Sequence, residues 1–415
     1  MVRVSAGELR SGWPLLLACM TCYGLALTHL FTLGLFMEPL QAEFGWTRSE
    51  ISGALLTYSI IALPGAPLVG WLVDRKGVRT IAIWGMALYA LMIGMLSLVG
   101  ADIWTWWFFY TLVLSAYLLS NTAVWVPAVS ARFNRRRGIA LAITLSGSGV
   151  AAFFLPPAVT WLIDEFGWRN AYVALGAFIA LISLPLIYFN VPRGLAVSRQ
   201  AEDAADDAPP VGLSTGEALR SSRFLRLFLV YLFFTAVLTG LNVHFVPMLT
   251  AFGADRYSAA FAASMIGIGS IAGRLVTGFL LDRSRGPMIG ALVLLPAVLA
   301  IATLLLVGAG YWTAMVALLF GFAFGAEIDV VGYLSTRYFG FRNFGSIYGV
   351  MTAAAALAAG FGPTLAGWAF DRFGDYNDFL AVGLAICVIC IGLVASLGRY
   401  PDFAPVTHSD EGHEV

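Results

Sequence analysis

One short phrase closes a long apolar run twice in this chain: Gly70-Trp71-Leu72-Val73-Asp74-Arg75, and again Gly278-Phe279-Leu280-Leu281-Asp282-Arg283. A charged turn at the same point of two similar runs marks an internal repeat, and a repeat of membrane-length helices restricts the chain to a duplicated bundle. Of 415 residues, 60% are hydrophobic and only 12% charged. That is more apolar side chain than one aqueous core can hide, so lipid is the expected solvent. Stretches near twenty apolar residues, enough to cross about 30 Å of hydrocarbon, recur along nearly the whole length and argue against a soluble all-α protein.

Twelve spans are predicted, at 13–38, 49–73, 79–100, 103–129, 137–163, 168–189, 224–250, 256–281, 288–307, 311–337, 344–370 and 377–397. Between the two sets of six lies the polar, proline-bearing stretch from Glu202 to Pro210, which has no periodicity and reads as a tether. The expected organisation is an all-α membrane protein with a six-helix half over 1–189, a cytoplasmic linker over 190–223, a second six-helix half over 224–399 and a cytoplasmic tail over 400–415. The repeat supports this division. Trp125 to Phe133 and Asp329 to Phe339 each precede a basic turn and a small-residue helix, and the following helices carry Pro156, Pro157 and Pro363 before the acidic turns at Asp164 and Asp371.

Basic and acidic residues balance at 24 each, so total charge points to neither nucleic acid nor an acidic partner. Their placement is informative. Arg75, Lys76, Arg79, Arg132, Arg135, Arg136, Arg137, Arg283, Arg285, Arg337 and Arg342 fall on one side of the predicted spans, and only Arg48, Arg169, Arg256 and Arg372 on the other. Basic residues in short loops are retained in the cytoplasm, so both termini and the tether are expected there. The first span carries no cleavage pattern and is expected to be kept as a helix. Cys19 and Cys22 have a C-x-x-C spacing inside an apolar run without nearby ligands, which favours helix packing over metal or redox chemistry.

Chemistry is sought among polar residues where lipid would penalise them. Arg274 lies roughly 12 Å deeper than Asp282 at 1.5 Å per residue. Its permanently charged fork suits two carboxylate oxygens, making it the main candidate for a substrate-binding group; a structural ion pair with a neighbouring helix is the alternative. Glu327 and Asp329 stand roughly 12–15 Å from Arg337 and are candidates for proton coupling or for charge compensation. Being two apart on a helix, they point in different directions. His29 and His244 fall on spans one and seven, equivalent elements of the repeat, and with Asn242 are candidate cavity groups. Asn121, Tyr333, Tyr117, Trp125 and Tyr231 are further candidates, because their polar tips need partners. The turns holding Asp74, Arg75, Arg79, Asp282, Arg283, Arg132 and Arg337 are expected to latch a conformation. No glycine-rich turn with a Walker-type Lys occurs, so no nucleotide, nucleic acid, metal or other cofactor is expected.

The run Gly70 to Arg79, with Asp74, Arg75, Gly77 and Arg79, resembles the cytoplasmic loop signature of the major facilitator superfamily, and the second-half echo matches it. Glu38 to Arg48, Gly273-Arg274-Leu275 through Arg283, and Arg337 to Gly340 look like the bacterial branch of monocarboxylate porters, which is also similar to oxalate/formate exchangers. This resemblance implies that Arg274 binds a substrate carboxylate. The acidic residue that such porters often carry one turn earlier is Ser270 here, and Met351–Phe361 lacks the exchangers' second basic residue, which disfavours a dicarboxylate. The expected function is secondary transport of a small organic anion, a lactate- or pyruvate-like monocarboxylate, with proton symport, by a monomer in a bacterial inner membrane and lipid bilayer. A larger or neutral organic solute, including a vitamin-like aromatic compound, is the alternative, and a membrane sensor a remote one; no enzymatic activity is expected.

Overall fold

The computed structural model describes residues 3–133, 136–193, 211–281, 283, 286–401 and 403. The expected latch residue Asp282, the basic residues Arg135 and Arg285, most of the tether and the tail beyond 403 lie outside them. The described chain is helical, apart from one isolated antiparallel bridge between Gly212 and Gly340.

Eleven helical segments are long and apolar enough to cross a membrane. One of them, Arg137–Asn190, has 54 residues, or about 80 Å of helix, far beyond the ~30 Å of a bilayer core. It is divided at Gly167, where φ is 78° and ψ 159°. A glycine is needed there because a Cβ would be strained at that φ. The spans are therefore Arg10–Phe44, Arg48–Lys76, Val78–Leu98, Ile103–Arg132, the two arms of Arg137–Asn190, Ser222–Ala251, Arg256–Leu281, Gly286–Val307, Thr313–Phe339, Phe344–Phe373 and Asn377–Ala395, called spans 1 to 12 below.

Span 1 departs from α-helical geometry at Leu27, where ψ is 8°, and span 4 at 119–121, where Asn121 is extended with ψ −170°, whereas Ala54, Leu55 and Ser146 in spans 2 and 5 keep right-handed helical angles. Local hydrogen bonds satisfy the polar groups that such breaks release. The Thr28 hydroxyl donates to the Leu25 carbonyl at 2.7 Å, and Asn121 caps the second piece of span 4 by accepting from the Ala123 N–H at 2.8 Å. Spans 7, 8, 10 and 11 run as single helices.

Spans 8 and 10 pack closely because each offers glycine to the other. A Cβ on Gly273 would fall on the Phe322 backbone, and one on Gly325 on the Ser270 backbone. Small residues let two backbones approach where lipid supplies no hydrophobic drive. This contact sets Arg274 beside Asp329.

The first six spans meet the last six through spans 1 with 7, 2 with 11 and 5 with 8. The hydrogen bonds between the two sets gather toward the Arg48 end. At the opposite end Arg132 donates to the Ser11 hydroxyl at 3.0 Å, Arg79 to the Tyr188 carbonyl at 2.7 Å and Arg226 to the Ser396 carbonyl at 2.6 Å, each within its own set. Thus the molecule is closed at the Arg48 end.

The tether's last residues dock on the second set. The Leu213 N–H donates to the Phe339 carbonyl at 2.9 Å, and the Phe341 N–H to the Val211 carbonyl at 3.0 Å. Ser214 then caps the short helix Thr215–Arg220, and its hydroxyl and N–H hold the Glu217 carboxyl below the usual carboxylate range.

Candidate functional site

Arg274 is 7% exposed and donates to Asp329 Oδ1 at 3.4 Å, while the Asp329 side chain remains 27% exposed. This is one long contact, not the paired geometry that a guanidinium and a carboxylate can form. Among the described residues the remaining guanidinium donors have no other partner. Tyr23 of span 1 lies within electrostatic reach of both Arg274 and Asp329, and Tyr348 of span 11 within reach of Asp329. The pair therefore faces the seam between the two sets of spans.

The two acids of span 10 part company, as their spacing requires. Glu327 turns away from Arg274, accepts a hydrogen bond from the Thr235 hydroxyl, and sits in a wall of Leu227, Phe234, Leu294, Val331 and Val394 from spans 7, 9, 10 and 12. No cation is recorded beside it among the described residues, and an ionised carboxylate without one is costly in such surroundings. Glu327 is consequently a hydrogen-bonding group inside the second set. Asp329 is the acid paired with Arg274, while Glu327 lies within electrostatic reach of Tyr231 and Tyr348.

The seam is lined by phenols. Tyr23, Tyr58 and Tyr117 from the first set converge with Tyr231 and Tyr348 from the second: Tyr58 and Tyr117 have ring centroids 5.7 Å apart, and Tyr231 lies within reach of Tyr348, Tyr23 and Tyr58. Among the described residues none of these five hydroxyls has a hydrogen-bond partner, although Tyr23 and Tyr231 are buried to within a few per cent. His29 adds an imidazole against Tyr117, with ring centroids 4.7 Å apart. Its Nδ1 meets the Tyr89 hydroxyl at 3.0 Å and its backbone carbonyl accepts from Tyr110 at 3.0 Å. These bonds orient the ring and leave Nε2 without a partner among the described residues. Sequence reasoning named Tyr117 and Tyr231 but missed Tyr23, Tyr58 and Tyr348; a tyrosine in an apolar run carries no signal for which side of its helix meets a seam.

The remaining sequence candidates lie elsewhere. His244 is fully buried. Its Nε2 lies 2.9 Å from the Pro363 carbonyl, which can only accept, so Nε2 carries the proton. Nδ1 then accepts from the Tyr376 hydroxyl at 2.9 Å, and that hydroxyl accepts from Arg48 Nη1 at 2.6 Å. Asn242 joins spans 1 and 7, donating to the Leu30 carbonyl at 3.2 Å. Asn121 is a helix cap, and buried Trp125 donates to the Ser120 carbonyl at 2.7 Å. Tyr333 packs beside Gly286 and Tyr400 near the end of the second set, away from the phenol seam. Cys19 and Cys22 are free and buried, with Cys22 against the Ser183 carbonyl of span 6.

Arg48, missed as a functional residue, organises the closed end. Its guanidinium lies 3.6 Å from the Phe370 ring centroid and also reaches the Pro247 carbonyl at 3.3 Å. The backbone N–H groups of Arg48 and Ser49 donate to the Asp371 carboxylate at 3.0 and 2.8 Å, so span 11 supplies the anion at the start of the span 2 helix. A second bridge joins Arg256 to Asp164 at 2.6 Å. Arg48 and Asp371 are 323 positions apart in sequence, so no local pattern announces their contact. Above the gate, a cavity of about 340 Å³ is lined by Glu38, Arg48, Thr250 and Arg256. Two of its lining residues, Arg48 and Arg256, are the gate's own cations, so it forms a vestibule to the gate.

Among the described residues the expected latch charges bridge nothing across the seam. Arg75 stacks on Trp71 at 5.2 Å, Arg283 on Phe279 at 3.6 Å and Arg337 on Tyr400 at 4.7 Å, while Asp74 is exposed. These contacts stay within one span or one set, as suits a molecule closed at its other end.

The fold and these groups have recognisable relatives. The chain is 27% identical to monocarboxylate transporter 13 of Bos taurus over 95% of its length and 91% of the relative's, and 27% identical to monocarboxylate transporter 11 of Homo sapiens over 93% and 83%. Among solved structures it is similar to a bacterial homologue of the human lysosomal transporter Spinster in an inward-facing, occupied conformation (TM-score 0.68, 18% identity, 92% of this chain and 95% of that one). It also resembles the nucleoside transporter NupG (TM-score 0.73, 14% identity, 94% and 100%). A family model described as the Major Facilitator Superfamily matches residues 19–363. Twelve apolar spans, a seam between two sets of six and a gate at one end are the working parts of a carrier, and the chain belongs to the Major Facilitator Superfamily, as a membrane transporter of a small solute and not a catalytic enzyme.

Proposed function

We propose that the chain carries a small organic monocarboxylate together with a proton. The observation that supports this most is the single, long Arg274–Asp329 contact at the seam. A fixed cation with unused donors is suited to an anion, and the acid beside it is suited to exchange places with that anion. In the empty carrier Asp329 balances Arg274. An arriving carboxylate takes the guanidinium in two-point geometry. Asp329, deprived of its cation in a low-dielectric seam, takes up a proton. Substrate and proton then cross together with no net charge moved, and loss of the substrate restores the ion pair. Asp329 takes the coupling role that sequence reasoning shared between it and Glu327, because only Asp329 borders Arg274.

The names of the curated relatives support a monocarboxylate cargo. With the basic loops in the cytoplasm, the closed Arg48 end is external and the structure faces inward, in a bacterial inner membrane with both termini cytoplasmic. The six-span halves over 1–189 and 224–399 rock as bodies of a monomer about their contacts, opening the Arg48 gate while the Asp74 and Arg337 turns close. A larger or neutral solute is the second reading, favoured by the fact that Arg274 already has an internal partner.

Proteoliposomes test the choice. Accumulation of labelled lactate or pyruvate driven by an inward proton gradient, lost in Arg274→Ala and retained in Arg342→Ala, is expected. Uptake of a neutral solute that is indifferent to Arg274→Ala would establish the second reading instead.

A further inference from the structure

We infer that the seam is built for a monocarboxylate bearing a hydroxylated aromatic ring, a longer cargo than a three-carbon acid; this rests on the carboxylate clamp at Arg274. The length comes from span 1. Gly24, next to Tyr23, packs on the Gly147 backbone of span 5, and Gly149 packs on Gly267 and Ile271 of span 8, close to Arg274 in that span, while His29 lies six residues beyond Tyr23 along span 1. At 1.5 Å per residue that separation is about 9 Å. A lactate, built on two C–C bonds of about 1.5 Å each, cannot touch both ends.

The far end has its own chemistry. The His29 ring lies against Tyr117, and Tyr117 against Tyr58, with centroids 4.7 and 5.7 Å apart; His29 Nε2 and the two phenol hydroxyls have no hydrogen-bond partner among the described residues, the two tyrosines are only partly buried, and a cargo seated there would bury all three. Buried polar groups are ordinarily paired, so a cargo that fills this end must offer hydrogen bonds. It must offer them without a negative charge. Spans 1, 2 and 4 carry no Arg or Lys between their ends, and a second carboxylate would lie in the seam uncompensated. A neutral hydroxyl meets both requirements, since it donates to the imidazole and accepts from a phenol.

The walls between the two ends favour a flat ring. Tyr58 and Tyr117 present tilted rings on the first set, while Phe31 and Phe324 meet across the seam with centroids 6.4 Å apart. Aromatic faces and edges at such spacings accept another ring by offset or edge contact. At the outer boundary Asn242 donates to the Leu30 carbonyl at 3.2 Å, one residue beyond His29. The hydroxyl of the cargo would therefore stop beneath this contact, with its carboxylate on Arg274.

The purified full-length carrier, titrated by calorimetry with lactate, phenylacetate, 4-hydroxyphenylacetate and gluconate, tests the inference. The expected order places 4-hydroxyphenylacetate at least about tenfold tighter than phenylacetate, and both tighter than lactate and gluconate. Tyr117→Phe should erode the advantage of the hydroxylated acid over phenylacetate about fivefold, and Arg274→Ala should abolish binding of both. Equal or tighter binding of lactate or gluconate, still dependent on Arg274, would overturn the aromatic cargo and leave the clamp standing. A full hydroxyl preference persisting in Tyr58→Phe, Tyr117→Phe and His29→Gln alike would overturn the placement of the ring. If no carboxylate binds while the protein unfolds cooperatively on heating, the clamp and this inference fall together.

Discussion

The two sets of six spans share a repeat yet divide the polar work unequally. In the first set spans 1 and 4 leave helical geometry inside the membrane, at Leu27 and at 119–121, and the set contributes hydroxyls and an imidazole: Tyr23, Tyr58, Tyr117 and His29. Beside Arg274 it offers no cation or carboxylate among the described residues; its Arg48 and Asp164 act at the gate. Spans 7, 8, 10 and 11 of the second set are continuous and carry Arg274, Asp329 and Glu327. A charge in lipid-depth surroundings needs a rigid neighbour at a fixed distance, which the glycine-mediated contact of spans 8 and 10 supplies. Broken helices suit the opposite task, since freed backbone groups and half-helices can adapt as the seam opens. The contrast suggests that the second set holds the charge and the first set shapes the cargo.

The largest expected effect is on the charge itself. Arg274→Ala leaves Asp329 without its cation, and removing one partner of a buried pair typically costs about 3–5 kcal/mol. Proton-driven uptake in liposomes should fall by more than about a hundredfold; comparable uptake would place the cargo chemistry in the first set and break the comparison. Next comes the contact that holds the charges together. Gly325→Val puts methyl groups onto the Ser270 backbone, and overpacking of this kind costs about 1–3 kcal/mol. A lowered melting temperature with weakened carboxylate binding is expected, whereas Gly278→Val, at a position with open space around a Cβ, should change neither appreciably.

Asp329→Asn should separate coupling from transport. Exchange of carboxylate across the membrane is retained, and the response of uptake to a proton gradient is lost; a preserved gradient response would return the coupling role to Glu327. Tyr376→Phe removes the hydroxyl between Arg48 and His244. A buried hydrogen bond lost in this way costs about 1–2 kcal/mol, shifting the balance toward the form open at the Arg48 end about tenfold. Thiol labelling of a cysteine introduced in the vestibule reads this directly. The smallest effect belongs to Glu327→Gln, which keeps a hydrogen-bonding partner for Thr235 and should change uptake less than about twofold, sharpening the distinction between the two acids of span 10.

Much of this was legible before any coordinates. Twelve spans followed from apolar length, and the fifth and sixth were separated correctly although their helices abut at Gly167. Arg274 and Asp329 stood out because a charge at membrane depth is costly wherever it occurs. Tyr333 did not fit: its end of span 10 is occupied by Gly286 and Tyr400, contacts that depend on how the ninth span and the chain after span 12 return. Asn121 and His244 were singled out as cavity groups, and tertiary contacts give one a helix end to cap and the other a hydrogen-bonded place inside the gate.

Composition, periodicity and the placement of charged turns specify the solvent, the number of crossings and the duplication, because each reports a local balance between apolar side chain and lipid. Which acid meets Arg274, which tyrosines face one another and which end is shut are long-range matters. They turn on helix rotation and on backbone approach at a few glycines, such as Gly273 and Gly325. The sequence places Arg48 and Asp371 in outer loops, but the bond between spans 2 and 11 exists only once both sets of helices have packed.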